Sequence, residues 1–205
     1  MTPLAAAIIS GMVARFGDEV VAGFGVGSRV ESISLIFVMA LSSTLPMFIG
    51  QNVGAGRNDR AYTALMGCLK FVLGFQCLIY LVLLVLGESI ATTFSSNAEV
   101  IQVIRTYLWI LPLTYGAHGV VVLCMVSLNV LRRPRMALLL TFTRLMILYV
   151  PLAYIGSRFW GLQGLFAGAA MGNILACIFA WTMIRKVSAE AGLNNPEPEM
   201  ANKPA

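Results

Sequence analysis

Charge is what this sequence has least of. Only 11% of its 205 residues are Asp, Glu, Lys or Arg, whereas 59% are hydrophobic. A soluble domain carries about 25% charged residues, which it needs to cover a surface that faces water. The shortage of charge excludes an ordinary soluble domain and predicts a membrane protein.

Side chains for catalysis and metal binding are equally scarce. The chain has one histidine and four cysteines, and no two cysteines form a CxxC pair. Two glycine-rich stretches, GFGVGSR at 23–29 and GQNVGAGRNDR at 50–60, fail as nucleotide motifs. The first has Val30 at the third glycine position, and no Lys-Ser/Thr follows the second. The sequence therefore predicts neither an enzyme nor a protein with a bound cofactor or metal.

The basic residues are distributed as membrane topology signals and not as a nucleic-acid surface. They stand singly or in twos and threes between apolar runs, and the net charge is +5. With the N-terminal side in the cytoplasm, seven lie on the inside (Arg57, Arg60, Arg132, Arg133, Arg135, Arg185 and Lys186) and three on the outside (Arg15, Arg105 and Arg158). This bias obeys the positive-inside rule. It predicts a multi-pass protein of the inner or plasma membrane with both ends in the cytoplasm.

Apolar runs divide the chain into membrane segments. The first run reaches Arg15 too soon to span a bilayer, which takes about 20 residues, and it has neither the positive charge nor the cleavage site of a signal peptide. We interpret it as a helix whose beginning is missing. The expected fold is an all-α lobe with five full spans and one truncated helix, with segments at 3–14, 20–53, 61–86, 100–130, 136–156 and 160–184.

The long segments and the polar C-terminal stretch add two predictions, one on bends and one on domain boundaries. The segment 20–53 exceeds one membrane thickness, and Pro46 and Pro112 are candidate bend points in the long helices. Residues 1–187 form the predicted membrane lobe. The polar, proline-containing stretch 188–205 is a predicted disordered cytoplasmic tail.

Small residues recur every four positions in the last segment. They are Gly164, Gly168, Gly172, Ala176 and Ala180. This small-xxx-small pattern lets a second helix approach closely, so it predicts a packing face.

Ionisable residues inside a span are expensive and are functional candidates. Arg144 lies about 12 Å into its segment, so it either pairs with an acid or a carbonyl, or lines a transport path. Glu31 is the one acid within a predicted span and is the candidate for cation coupling. Glu31 and Arg29 lie either at the outer interface or in a central cavity.

Three further polar residues lie within the apolar runs. His118 is either a proton relay or a hydrogen-bonded packing residue. Asn129 and Gln76 are candidates for hydrogen bonds between helices, and Asn129 is also a candidate for lining a substrate cavity.

Several stretches resemble the MATE (multidrug and toxic compound extrusion) family. They are VAGFGVGSRVES, then Pro46 and GQNVGAGRNDRA, and later LRRPRMALLLTFTRLMILYVPLAY followed by GLQGLFAGAAMGN. The resemblance covers residues 1 to about 187. It implies the C-terminal lobe, helices seven to twelve, of a twelve-helix fold, which requires the missing N-terminal lobe or a second copy as partner in the lipid bilayer.

The resemblance also implies a function. Such proteins export small-molecule drugs or organic cations in exchange for H⁺ or Na⁺ by alternating access. The alternatives are a lipid-linked sugar flippase of the same superfamily and an inactive half-transporter or membrane scaffold. A flippase needs a cationic cavity for its pyrophosphate, and here only Arg29 and Arg144 qualify.

Overall fold

The computed structural model describes residues 2–193, which are almost entirely helical. Two 3-10 turns (Ala14–Phe16 and Pro112–Thr114) and a π-helical turn (Thr143–Tyr149) lie between helices. Most of the predicted tail 188–205 lies outside the described range. In chain order the helices are α1 (Thr2–Val13), α2 (Asp18–Ser34), α3 (Ile36–Gly54), α4 (Asn58–Phe94), α5 (Ala98–Ile110), α6 (Tyr115–Val130), α7 (Pro134–Phe142) and α8 (Val150–Glu190).

These helices combine into six segments that follow the apolar runs of the sequence. Helices α2 and α3 form one bent segment, as do α5 and α6. Helix α8 is broken at Trp160 (φ −131°, ψ 25°) and Gly161 (φ 56°, ψ −137°). We call residues 150–160 its first arm and residues 161–190 its second arm. The six segments are α1, α2–α3, α4, α5–α6, α7 with the first arm of α8, and the second arm.

Most of the described residues belong to helices that are long and apolar enough to cross a membrane. Four stretches are long and apolar enough: Ile36–Gly54, Asn58–Phe94, Ala98–Val130 and Pro134–Glu190. In the apolar part of Ala98–Val130, 61% of the residues are buried, compared with 17 to 22% in the other three. Helices α5 and α6 therefore form the centre of the lobe, and the other helices present apolar side chains outward.

Short local signals begin and end the helices. Asn97 caps α5, since its Oδ1 accepts a hydrogen bond from the backbone N–H of Glu99 at 2.9 Å. Pro134 lies in the first turn of α7, where its missing N–H leaves no intrahelical bond unmade. Gly17 precedes α2 with φ 115°, a conformation that favours glycine. These residues separate the apolar runs into discrete helices.

The bend between α2 and α3 lies at Leu35 and not at a proline. Leu35 has φ −89° and ψ 0°, whereas α3 continues through Pro46. Gln76 of α4 is buried, and its Nε2 donates a hydrogen bond to the backbone oxygen of Ser34 at 2.8 Å. A side chain from a neighbouring helix thus donates a hydrogen bond to a carbonyl beside the break. Such bonds satisfy backbone groups that an irregular membrane helix leaves free.

The glycine face of the second arm packs against the first arm and the π-helical turn. A Cβ on Gly164 would meet the carbonyl oxygen of Gly156, and one on Gly168 would meet that of Leu152. A Cβ on Gly172 would lie 2.8 Å from Tyr149 Cα. The packing face predicted from the small-residue repeat is thus turned toward the backbone of the preceding segment.

Candidate functional site

Three helices bring a carboxylate, a phenol and an imidazole together in the centre of the lobe. Tyr107 of α5 donates a hydrogen bond from its hydroxyl to Glu31 Oε2 of α2 at 2.6 Å. His118 Nδ1 of α6 lies 3.5 Å from Glu31 Oε1. We call these three residues the Glu31 cluster. Both oxygens of the carboxylate have a partner, although the side chain of Glu31 remains 26% exposed.

Two glycines of α2 create the room for this cluster. Gly23, Gly27 and Glu31 lie four residues apart and share one helical face. A Cβ on Gly23 would be 2.6 Å from Val103 Cγ1, and one on Gly27 would be 2.5 Å from the ring of Tyr107. Without these side chains α2 packs directly on α5, and Glu31 meets the hydroxyl of the same Tyr107. The stretch 23–29 is a helix-packing element.

Gly27→Ala is expected to disturb the Glu31 cluster and to lower the thermal stability of the lobe. The added methyl overlaps the Tyr107 ring, so α2 must move away from α5 and Glu31 with it; overpacking of this kind costs about 1–3 kcal/mol. Gly25→Ala is the matched control, because nothing lies within 4 Å of its Cβ position. Thermal unfolding of both variants measures the effect. Equal stability of the two variants would contradict the packing explanation.

Arg144 enters the same region from the π-helical turn. Its Nη2 donates to Asn173 Oδ1 at 3.5 Å, and Asn173 Nδ2 in turn donates to Thr114 Oγ1 at 3.5 Å. Both distances are at the outer limit of hydrogen bonding, so both bonds are weak. The Nε of Arg144 is buried and has no hydrogen-bond partner. π-Helical turns inside α-helices occur frequently at functional sites.

A cavity of about 300 Å³ joins the Glu31 cluster to Arg144. Its wall is completed by apolar residues of α1 and by Phe24 and Leu145. We call it the central cavity. Its polar lining residues are Ser10, Ser28, Glu31, Tyr107, His118, Arg144, Tyr149 and Asn173. The cavity therefore offers one acid, one guanidinium and one imidazole to a small molecule or ion.

The structure places three of the predicted site residues together. Glu31, His118 and Arg144 all line the central cavity, although their segments are far apart in the sequence. Glu31 lies in the wall of this cavity, and His118 contacts its carboxylate.

Arg29 and Asn129 do not line the central cavity. Arg29 is exposed and lines a separate groove with Phe37 and Phe75. Two residues along a helix turn about 200°, so Arg29 and Glu31 face opposite sides of α2. Asn129 is exposed near the end of α6, eleven residues or about 16 Å along the helix from His118.

Sequence reasoning missed Tyr107, Tyr149 and Asn173. A tyrosine in an apolar run carries no charge that would mark it as a functional candidate. Its role depends on which side chain of another helix lies beside its hydroxyl. Asn173 had a usable signal, because it directly follows Gly172 on the predicted packing face and must therefore lie close to another helix. Among the described residues, no group of three or more His, Cys, Asp or Glu side chains is placed to hold a metal ion.

Comparison with known proteins identifies the fold. The MatE family model matches residues 1–155. The chain belongs to the MATE family. It superimposes on the crystal structure of the Vibrio cholerae MATE transporter VcmN in the bent form with a TM-score of 0.90 and 35% identity, covering 94% of this chain and 44% of that one. The all-α six-helix lobe, half of a MATE-type fold, is confirmed.

Two curated MATE relatives carry different names. One is the FAD transporter of Shewanella oneidensis, 40% identical over 187 residues, and the other is the probable multidrug resistance protein YpnP of Bacillus subtilis, 25% identical over 177 residues. The match covers 91% and 86% of this chain but only 41% and 40% of those proteins. The chain thus spans about two fifths of their length. It is a membrane domain of the MATE family.

Proposed function

We propose that this chain is the C-terminal lobe of a secondary exporter in which Glu31 couples transport to H⁺ or Na⁺. The observation that carries the proposal is the Glu31 cluster in the central cavity. A carboxylate at membrane depth is costly to keep and marks ion pathways by default. His118 lies twelve residues, or about 18 Å, from the end of α6, so its partner Glu31 is well inside the lobe.

The proposed mechanism is alternating access against a second lobe. The central cavity opens to one side of the membrane and then to the other as the lobes rock. A cation bound at Glu31 shifts this equilibrium only if it binds one state more tightly than the other. The contacts from Tyr107 and His118 supply that difference if α2 and α5 separate in one of the states, because the carboxylate then loses a partner.

Two classes of cargo have support. A drug or organic cation follows from the family resemblance and from the relative named a probable multidrug resistance protein. A flavin dinucleotide is the second candidate, favoured by 40% identity to the relative named FAD transporter. We propose export across the inner membrane for either cargo.

Transport assays decide between these cargoes. The complete product of the gene is reconstituted in proteoliposomes, and FAD and ethidium fluxes are measured under imposed H⁺ and Na⁺ gradients. We expect one cargo to move at least about tenfold faster than in vesicles without protein, and only with the correct gradient. If neither cargo moves under either gradient, the exporter proposal fails in favour of an inactive lobe or scaffold. Native mass spectrometry then measures the oligomeric state, and a monomer without transport supports the inactive lobe or scaffold.

A further inference from the structure

Arg144 carries a positive charge in the central cavity and forms no salt bridge with any described acid. Two pairs of described residues lie within salt-bridge distance, His118–Glu31 and Arg133–Glu190, and neither includes Arg144. Its Nε is buried without a partner, and its contact with Asn173 is a long one of 3.5 Å. An arginine has five N–H donors, so most of the donors of this side chain are unused.

The carboxylate of Glu31 in the same cavity acts on this charge at longer range, without a hydrogen bond to the guanidinium. Glu31 uses Oε2 for the hydroxyl of Tyr107 and Oε1 for His118. A guanidinium within the membrane is costly to keep when one of its buried N–H groups has no partner and its one hydrogen bond is long. The lobe nevertheless holds Arg144 in place, because Gly172 brings the second arm of α8 against the π-helical turn and sets Asn173 beside the guanidinium.

We infer that Arg144 binds an acidic group of the transported molecule, a phosphate or a carboxylate; this rests on the proposed transport function. The planar guanidinium matches both groups with two parallel hydrogen bonds. Tyr149 and Asn173 line the same cavity and carry further N–H and O–H donors. The volume of about 300 Å³ is at the small end of ligand sites, so the cavity accepts the acidic end of a cargo and not the whole of a large one.

The first test uses inorganic pyrophosphate and the complete protein. Pyrophosphate is expected to raise the Tm of the wild type by roughly 2–4 °C and to leave that of Arg144→Gln unchanged. Arg158→Gln is the control, because Arg158 is exposed beyond the cavity, and it should respond as the wild type does. An absent shift in the wild type, or an equal shift in Arg144→Gln, overturns the inference.

The second test separates an organic cargo from free phosphate. FMN and riboflavin share one ring system and differ by a phosphate, and flavin fluorescence reports the binding of both. We expect FMN to bind roughly ten- to a hundredfold more tightly than riboflavin, and Arg144→Gln to abolish the preference. A pyrophosphate shift without FMN binding assigns the site to a free anion. Equal binding of FMN and riboflavin, with no pyrophosphate shift, contradicts the inference.

A conservative variant covers the case in which Arg144→Gln does not fold. Arg144→Lys keeps the charge but loses the planar fork, so the FMN preference should fall about tenfold. An unchanged preference overturns the inference. The proposed function is judged by gradient dependence instead: an Arg144-dependent pyrophosphate shift without gradient-driven transport refutes the exporter and retains the anion site.

Discussion

Replacing Glu31 by glutamine is expected to reduce gradient-driven transport to the level of vesicles without protein. Glutamine has nearly the same shape and still accepts the hydrogen bond from Tyr107, so the contact between α2 and α5 survives. It carries no negative charge and takes up no proton, so a cation gradient can no longer distinguish the two states of the lobe. Uptake of the transported cargo under the effective gradient measures the loss.

Two controls make this result specific. Glu88→Gln removes an exposed carboxylate of α4 and should transport as the wild type does. Exchange of cargo at equal concentrations on both sides needs no gradient, and in Glu31→Gln it should persist. Gradient-driven transport that survives in this variant would remove Glu31 from the coupling step. Loss of both transport and exchange would instead assign it to cargo binding or folding.

Gly168→Leu is expected to prevent the lobe from folding. Even the first added carbon would meet the carbonyl oxygen of Leu152, with Ala153 Cα only 3.0 Å away. These are backbone atoms, so no side chain can move aside, and we expect a loss of more than about 3 kcal/mol in the free energy of unfolding. Yield in the membrane and thermal unfolding measure it.

Gly74→Leu provides the matched comparison. Gly74 is also a helical glycine within a membrane segment, but it is exposed and nothing lies within 4 Å of its Cβ position. The leucine there should be tolerated, since glycine in a helix interior is itself unfavourable by about 1 kcal/mol relative to alanine. If both leucine variants are as stable as the wild type, the two arms of α8 do not pack backbone to backbone.

The segments of this lobe were predictable because lipid leaves few choices. Every backbone polar group must be satisfied within the bilayer, so each long apolar run has to be a helix. The run 61–86 lies inside α4, and the run 100–130 falls within the stretch Ala98–Val130. Bends were less predictable. Pro46 and Pro112 were the predicted bend points. Helix α3 continues through Pro46, whereas Pro112 begins a 3-10 turn.

The break at Leu35 had no local signal. It is accompanied by the side chain of Gln76, which lies 42 residues from the Ser34 carbonyl that it binds. Contacts of this kind depend on how the segments pack, and that packing cannot be read from a single sequence. The same reason explains the site: charge singled out Glu31 and Arg144, but only packing shows that they share a cavity and that Arg29 does not.

The π-helical turn makes the direction of Arg144 a matter of helix register. A π turn accommodates one residue more than an α turn, so the side chains on its two sides are offset by about 100° from their places in a continuous α-helix. Returning residues 143–149 to α geometry would rotate Arg144 relative to α8 by that angle and withdraw it from Asn173. A slip of a single residue along one helix therefore sets whether this guanidinium faces the cavity, with no change in its rotamer.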